Sequence, residues 1–469
     1  MFAYKGELAM PKKKTALTIE ERLQQALVPA EEQPYEVPEN WVWVRLGAVC
    51  GFERGITFPS SAKQNERDDE NIPCLRTANV QDELELNDLI YVNKKYYKNN
   101  IDKLIRKNDI IMSTANSREL VGKTSFVYKV EYPMIFGGFV MALRANKLLS
   151  KFLFYYLRLE FLLGRFRGES TQTTNIANIS SSVLGEYTFP LPPLFEQQRI
   201  VERIEELFAK LDEAKERLQE AAESFAVRKA AILHKAFTGE LTQQWRRENG
   251  VSDESWEEKK LGEVGVLERG RSKHRPRNDE RLFGGIYPFI QTGDVANADM
   301  FIEKHSQTLS DFGMQQSKLF AKNTICITIA ANIGKVAILS YDSCFPDSVV
   351  GLTTDEKNSY KYVYYYLSTQ QKELESKAPA TAQKNINLKV LNDLDIPLPS
   401  LSEQHEIVRL IDDLLARERA AQQATEQALA SIELMKKSIL ARAFCGELGT
   451  NKASEASALE LLKQVLAEN

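Results

Sequence analysis

The sequence has almost no net charge, with 61 Lys+Arg against 65 Asp+Glu and a formal balance of −4. The global basic excess that marks many nucleic-acid binders is missing, so any DNA reading has to rest on local clusters. There is no run of roughly 18 or more apolar residues; the densest stretch, Lys151–Arg158, is short and flanked by charge, which excludes a membrane-spanning helix. The opening MFAYKGELAMPKKK lacks the apolar core and small-residue cleavage site of a secretion signal. Five cysteines (Cys50, Cys74, Cys326, Cys344, Cys445) show no CxxC spacing, and His234, His274, His305 and His405 stand apart. Neither a disulfide framework nor a metal site is indicated, and the expected compartment is the cytoplasm.

Catalytic signatures are equally scarce. Gly122-Lys-Thr124 resembles the end of a phosphate-binding loop, but the glycine required five residues earlier is Ser117. Pro346-Asp347 with Asp355-Glu-Lys357 has spacing too short for a metal-dependent nuclease. No GxGxxG loop follows a strand, and the Asn-Pro-Pro-aromatic motif of amino-methyltransferases is missing, since the one double proline is Leu191-Pro-Pro-Leu194. The expectation is a chain with no catalytic residues and no cofactor of its own.

What the sequence does contain is repetition. Residues 190–241 align without a gap on 397–448, with 22 identities in 52 positions, opening on PLPPLFEQQRIV and PLPSLSEQHEIV and closing on AFTGEL and AFCGEL. A second block, at a shift of 215, pairs Trp41 with Trp256, Leu46-Gly47 with Leu261-Gly262, Arg54 with Arg269, Thr77 with Thr292 and Lys107-Asn108 with Lys322-Asn323. Between these matched ends the two interiors diverge. Tyr4-Lys-Gly-Glu-Leu8 echoes the Gly-Glu-Leu ends, which suggests a cyclic pseudo-twofold layout with the N-terminal segment near the C-terminal helix.

Within 194–236 apolar residues fall at Ile200, Ile204, Leu207, Leu211, Ala214, Leu218, Ala221 and Phe225, the 4,3 alternation of a coiled-coil seam. The second copy offers Ile407, Ile411, Leu414, Ala421, Ala428, Ile432 and Ile439, with Glu418 and Thr425 replacing Leu211 and Leu218. A helix of this length spans roughly 65 Å. Each seam needs a partner: either the two helices pair antiparallel, or each packs on its own domain. The divergent segments read as mixed α/β, with short strands such as 108–113, 124–128 and 324–329 and aromatic helices near Lys151–Glu160 and Tyr360–Gln370. The expected division is an N-terminal arm at 1–38, a first α/β domain at 39–189, a helical spacer at 190–253, a second α/β domain at 254–396, a second spacer at 397–450 and a tail at 451–469, an α+β chain overall.

Two basic clusters lie inside the divergent segments. Arg269-Gly-Arg-Ser-Lys-His-Arg-Pro-Arg277 is a loop carrying five cations and no acid, and Lys94-Lys-Tyr-Tyr-Lys98 is its counterpart. Arginine reads guanine bidentately and Asn or Gln reads adenine, so polar loop tips join them as candidates. In the first segment the DNA-contact candidates are Arg54, Arg76, Thr77, Asn79, Lys94, Lys95, Lys98, Asn116, Arg118, Thr174 and Asn175. In the second they are Arg269, Arg271, Lys273, His274, Arg275, Arg277, Thr292, Asn332, Lys335, Gln383, Lys384 and Asn385. Trp41 and Trp256 are assigned to the core.

With PLPPLFEQQRIV and AFTGEL in one helical segment and PLPSLSEQHEIV and AFCGEL in the other, alternating with two divergent domains, the chain resembles the specificity subunit of type I DNA restriction–modification systems. That resemblance implies that each divergent domain reads one half of a bipartite, asymmetric double-stranded DNA site. The helices would form an antiparallel spacer and dock two methylation subunits that use S-adenosylmethionine, and restriction or motor subunits would use ATP and Mg. Weak, salt-sensitive DNA binding is expected of the chain alone. Residues 9–38 have no equal in the shorter 242–253 connection and form either a docking arm or a tether. The rival reading is a coiled-coil scaffold that reads no bases.

Overall fold

A computed structural model describes residues 17–98, 100–169, 171–173, 176–330, 332–378 and 385–468. The chain divides into two compact units, Met1–Glu216 with Leu429–Asn469, and Arg217–Ala428. Two 44-residue helices, Leu194–Phe237 and Leu401–Phe444, each contribute to both units. Each helix is held at its start by a glutamine that folds back on the preceding prolines, Gln197 to the Pro192 carbonyl and Gln404 to the Pro399 carbonyl, both at 3.0 Å. Beyond each helix a glycine takes the left-handed conformation, Gly239 at φ +79° and Gly446 at φ +75°, which a side chain would resist.

The two helices run antiparallel. In the first unit Lys215 pairs with Glu433 at 2.7 Å and Asp212 with Lys436 at 2.5 Å, so numbering rises along one helix as it falls along the other. In the second unit Arg228 meets Glu418 at 2.8 Å in the same sense. Of the expected seam, Ile200, Ile204, Ile407, Ile411 and Ile432 are buried, whereas Leu207, Leu211, Leu218, Phe225 and Leu414 are half-buried. A lone pair of helices covers only one side of each, so the middle is packed thinly. Ala214 and Ala421, assigned to the seam by spacing, are exposed. Thr425 is buried and satisfies its hydroxyl on the Ala421 carbonyl at 2.9 Å.

Each divergent segment enters and leaves its unit through an antiparallel two-strand clamp. Val42–Arg45 pairs with Thr188–Leu191, Val42 opposite Leu191; Glu257–Lys260 pairs with Asp395–Leu398, Glu257 opposite Leu398. Between the clamps lie small mixed sheets. In the first unit one sheet runs in the order Cys50–Arg54, Val140–Ala145, Ile110–Ser113, Thr124–Phe126, all antiparallel. Another contains the parallel pair Asn71–Leu75 and Ile135–Phe136. The second unit repeats both, with Gly265–Arg269 beside Val349–Thr354, and Phe283–Phe289 parallel to Ser343–Cys344.

The helix ends are pinned by aromatic side chains of the α/β domains. Phe444, fully buried, lies 5.0 Å from Phe152 and 5.1 Å from Tyr156, while Phe237 lies 5.4 Å from Tyr362 and 5.2 Å from Tyr366. The partner residues sit on the helices Ser150–Leu162 and Tyr360–Thr369. Trp41 is buried and donates to Glu196 at 2.8 Å. Its counterpart Trp256 is only half-buried, because Arg246 has taken Glu403, with Nη1 to Oε1 at 2.7 Å, and lies over the Trp256 ring. The arm's described part forms the helix Ile19–Ala26, opened by a Thr18–Glu21 capping box, and packs on the tail helix Ala458–Glu468, with Arg22 donating to the Leu466 carbonyl at 3.1 Å. The echo at Tyr4–Leu8 lies outside the described residues.

Candidate nucleic-acid interface

One backbone device occurs in both units. The strand ending at Arg54 continues into Gly55, whose N–H donates to the Val140 carbonyl at 3.0 Å; the strand ending at Arg269 continues into Gly270, whose N–H donates to Val349 at 2.9 Å. A Cβ on Gly55 would stand 2.2 Å from the Gly137 carbonyl oxygen, and one on Gly270 would stand 2.3 Å from that of Pro346. The next crossing also matches. The Arg76 N–H donates to Asn79 Oδ1 and the Gln291 N–H to Asp294 Oδ2, both at 2.7 Å, each opening a short helical turn.

Between these two points each unit has a cleft. In the first, a groove of about 500 Å³ is lined by Arg54, Thr57, Lys63, Arg76, Thr77 and Phe139. In the second, a groove of about 590 Å³ is lined by Ser272, Arg277, Phe283, Gln291, Gln307 and Ser348. At the shift of 215, Ser272 stands where Thr57 does and Gln291 where Arg76 does. The framework is thus shared while the lining differs: both clefts carry hydroxyls and phenylalanines, but the first adds three cations, Arg54, Lys63 and Arg76, and the second adds the amides Asn278, Gln291 and Gln307 with one arginine and one acid, Arg277 and Glu280. That is the chemistry by which base edges are told apart.

Placement of the sequence candidates follows from this frame. Arg54, Arg76 and Thr77 come together in the first cleft, Arg277 lines the second, and half-buried Thr292, next in sequence to Gln291, stays outside that lining. Asn79 does not face DNA: it is 1% exposed and its amide donates to the carbonyls of Glu85 and Asp88 at 2.9 Å each, so it braces the loop that carries Arg76. The loop from Arg269 to Arg277, free of acids in sequence, meets two in space. Arg277 forms a two-pronged pair with Asp347 at 2.8 and 3.1 Å, and Arg269 donates to the Asp347 carbonyl. His274 contacts Asp279 at 2.7 Å; bonds from Arg281 first, and from His274, hold the Asp279 carboxyl well below the usual range. Arg275 donates to the Ser272 carbonyl at 2.7 Å, and Arg271 and Lys273 are exposed. A surface pair such as Arg277–Asp347 is worth about 1 kcal/mol or less, so a phosphate can replace that carboxylate at little cost.

Lys94, Lys95 and Lys98 lie elsewhere, on a turn after Ile90–Asn93, with the Lys94 ammonium on the Asp69 carbonyl at 2.6 Å. Another matched place gathers the remaining tips. Ala115 pairs with Asn178 and Ala330 bridges to Asn385, which puts Asn116 and exposed Arg118 beside one contact and Asn332, Lys335 and exposed Asn385 beside the other. Asn116 is half-buried and spends its amide on Ser113 at 3.1 Å and on the Ser117 N–H at 2.9 Å. Thr174, Asn175, Gln383 and Lys384 lie outside the described residues. Sequence reading missed Thr57, Lys63, Phe139, Ser272, Gln291 and Gln307. The shift of 215 already set Gln291 opposite Arg76; Phe139 and Gln307 fall where the interiors no longer align.

Two clefts of one design on domains threaded by an antiparallel helix pair define a two-site recognition protein. The model of the type I restriction modification DNA specificity domain matches residues 38–223 and 253–430, and the chain belongs to that family. It is 26% identical over 454 residues to the type I restriction enzyme EcoKI specificity subunit of Escherichia coli (strain K12), covering 92% of this chain and 96% of that one. To the StySPI specificity subunit of Salmonella potsdam it is 25% identical over 457 residues, with the same coverage. The crystal structure of the HsdS subunit from Thermoanaerobacter tengcongensis aligns at TM-score 0.62 and 22% identity, over 89% of this chain and 100% of that one. The chain is therefore a specificity subunit that recognises DNA target sites, with catalysis left to partner subunits, and the base-blind scaffold reading falls away. No described helix is long and apolar enough to cross a membrane.

Proposed function

We propose that the first cleft reads one half of a bipartite, asymmetric DNA target and the second cleft reads the other. The observation that carries this is the shared backbone frame with a different polar lining in each unit. Surface cations on the flanking loops, above all Arg271, Lys273 and Arg275 in the second unit, grip phosphates and fix register, while cleft side chains discriminate bases. The paired helices set the gap between half-sites and offer their solvent faces to two methylation subunits. Those partners supply S-adenosylmethionine-dependent adenine methylation, and restriction or motor subunits supply ATP- and Mg-dependent chemistry, all in the cytoplasm. Because the described arm packs on the tail helix, it acts as a brace within the first unit before any docking role.

The test exchanges residues 39–189 for the equivalent domain of a relative and maps adenine methylation genome-wide in a host supplying the methylation subunit. One half of the methylated motif is expected to change while the other half and the gap persist. A motif changed in both halves, or unchanged in both, would overturn the assignment of one cleft to one half-site.

A further inference from the structure

Arg76 and Gln291 occupy one position of the shared frame. Each follows closely on the strand that runs parallel to Ile135–Phe136 or Ser343–Cys344, each opens the same turn through a 2.7 Å bond to the residue three places on, and each lines its cleft. Each side chain is also orientated by a single neighbour. Arg76 Nη2 donates to the Asp88 carboxylate at 2.7 Å and to the Asp88 carbonyl at 3.0 Å; Gln291 Nε2 donates to Gln307 Oε1 at 2.9 Å. The rest of the frame matches, so the main difference at this point is chemical: a guanidinium in one unit and a paired amide in the other.

From this position we infer that residue 76 and residue 291 each select one base pair in their half-sites, guanine in the first and adenine in the second. Asp88 takes up Nη2, so the Nη1 amino group is what Arg76 has left to offer, a pure donor that suits the O6 and N7 acceptors of guanine. An amide pair presents a donor and an acceptor, matching N7 and N6–H of adenine. Asp88 and Gln307 act as positioning residues, because a side chain held in one rotamer loses less entropy on meeting a base. The inference rests on the cleft-reading proposal and narrows it to one residue per half-site.

The experiment assembles the wild-type, R76Q and Q291R chains with the methylation subunit and selects methylated duplexes from a library randomised over both half-sites. For R76Q the first half-site is expected to change from G to A at one base pair, with a preference reversal of roughly 5- to 150-fold, and the second half-site to stay as it was. Q291R should make the reciprocal A-to-G change in the second half-site only. An unchanged motif, a change at a position holding no guanine in the wild-type motif, or no enriched motif from an assembled complex would overturn the inference. D88N separates orientation from folding: it should weaken the G preference at that same base pair and no other. The domain exchange above keeps the two claims apart, since a successful exchange with an inert R76Q rejects this residue and leaves the cleft standing.

Discussion

Arg246→Met tests whether the second unit depends on the ion pair that ties the inter-domain connection to the second long helix. The Arg246 side chain is 6% exposed and Glu403 is fully buried. The guanidinium donates to Glu403 at 2.7 Å, to the Thr242 hydroxyl at 3.1 Å, to the Gly239 carbonyl at 2.9 Å and to Asp253 at 3.0 Å. Methionine keeps the volume of the stem but leaves the Glu403 carboxylate buried without its counter-charge, a loss of about 3–5 kcal/mol. In a unit of this size 1 kcal/mol moves Tm by roughly 2–4 °C, so the second unit should melt about 6–20 °C lower. Removing both charges avoids the stranded ion: R246M/E403L should recover most of the loss, since apolar replacement of a whole buried pair is often neutral or stabilising. Scanning calorimetry is the assay, with the first unit's transition as internal reference. A loss below about 1 kcal/mol in R246M, or a double variant no more stable than R246M, would refute the reasoning.

Three further outcomes are expected. Phe444→Ala removes a fully buried ring from the aromatic cluster with Phe152 and Tyr156, so the first unit should lose about 3–5 kcal/mol in urea denaturation. Burial raises the carboxyl pKa of Glu160 and of Glu196, so the folded state holds protons that the unfolded chain releases; first-unit stability should fall as pH rises above the ordinary carboxylate range, and E160Q with E196Q should flatten that profile. Alanine at Arg271, Lys273 and Arg275 together should flatten the log–log salt dependence of DNA binding by roughly 0.9 for each phosphate that is no longer neutralised; an unchanged slope would remove this loop from the interface.

The helical half of the fold was legible because its signals are periodic and local: the 4,3 spacing, the prolines before each helix and the glycines after it all mark real boundaries. The spacing could not show that Ala214 and Ala421 face solvent, since an alanine keeps the pattern without needing cover. Trp41 and Trp256 look equivalent in sequence, yet Arg246 in the short connection captured Glu403 and turned one of the two into a half-buried platform. The candidate site was legible only in part, for a similar reason. Composition finds cations, but Asn79 points inward and Arg277 pairs with Asp347, an acid 70 residues away. Gln291 and Gln307 are ordinary residues until the antiparallel pairing of Phe283–Phe289 with Gln307–Leu309 places them in one cleft.

Gly55 and Gly270 carry a consequence for how such a molecule changes over generations. Each lets two backbone segments approach so closely that even a methyl group would collide with a carbonyl oxygen. Close by, Thr57 and Arg76, or Ser272 and Gln291, line open space and answer to no such demand. Constraint and freedom are thus separated by a few residues, and drift in what is recognised need not endanger what folds. A saturation scan scored for yield alone should find Gly55 and Gly270 intolerant while Thr57, Arg76, Ser272 and Gln291 accept substitution, the mark of a reader whose vocabulary can be rewritten while its grammar is kept.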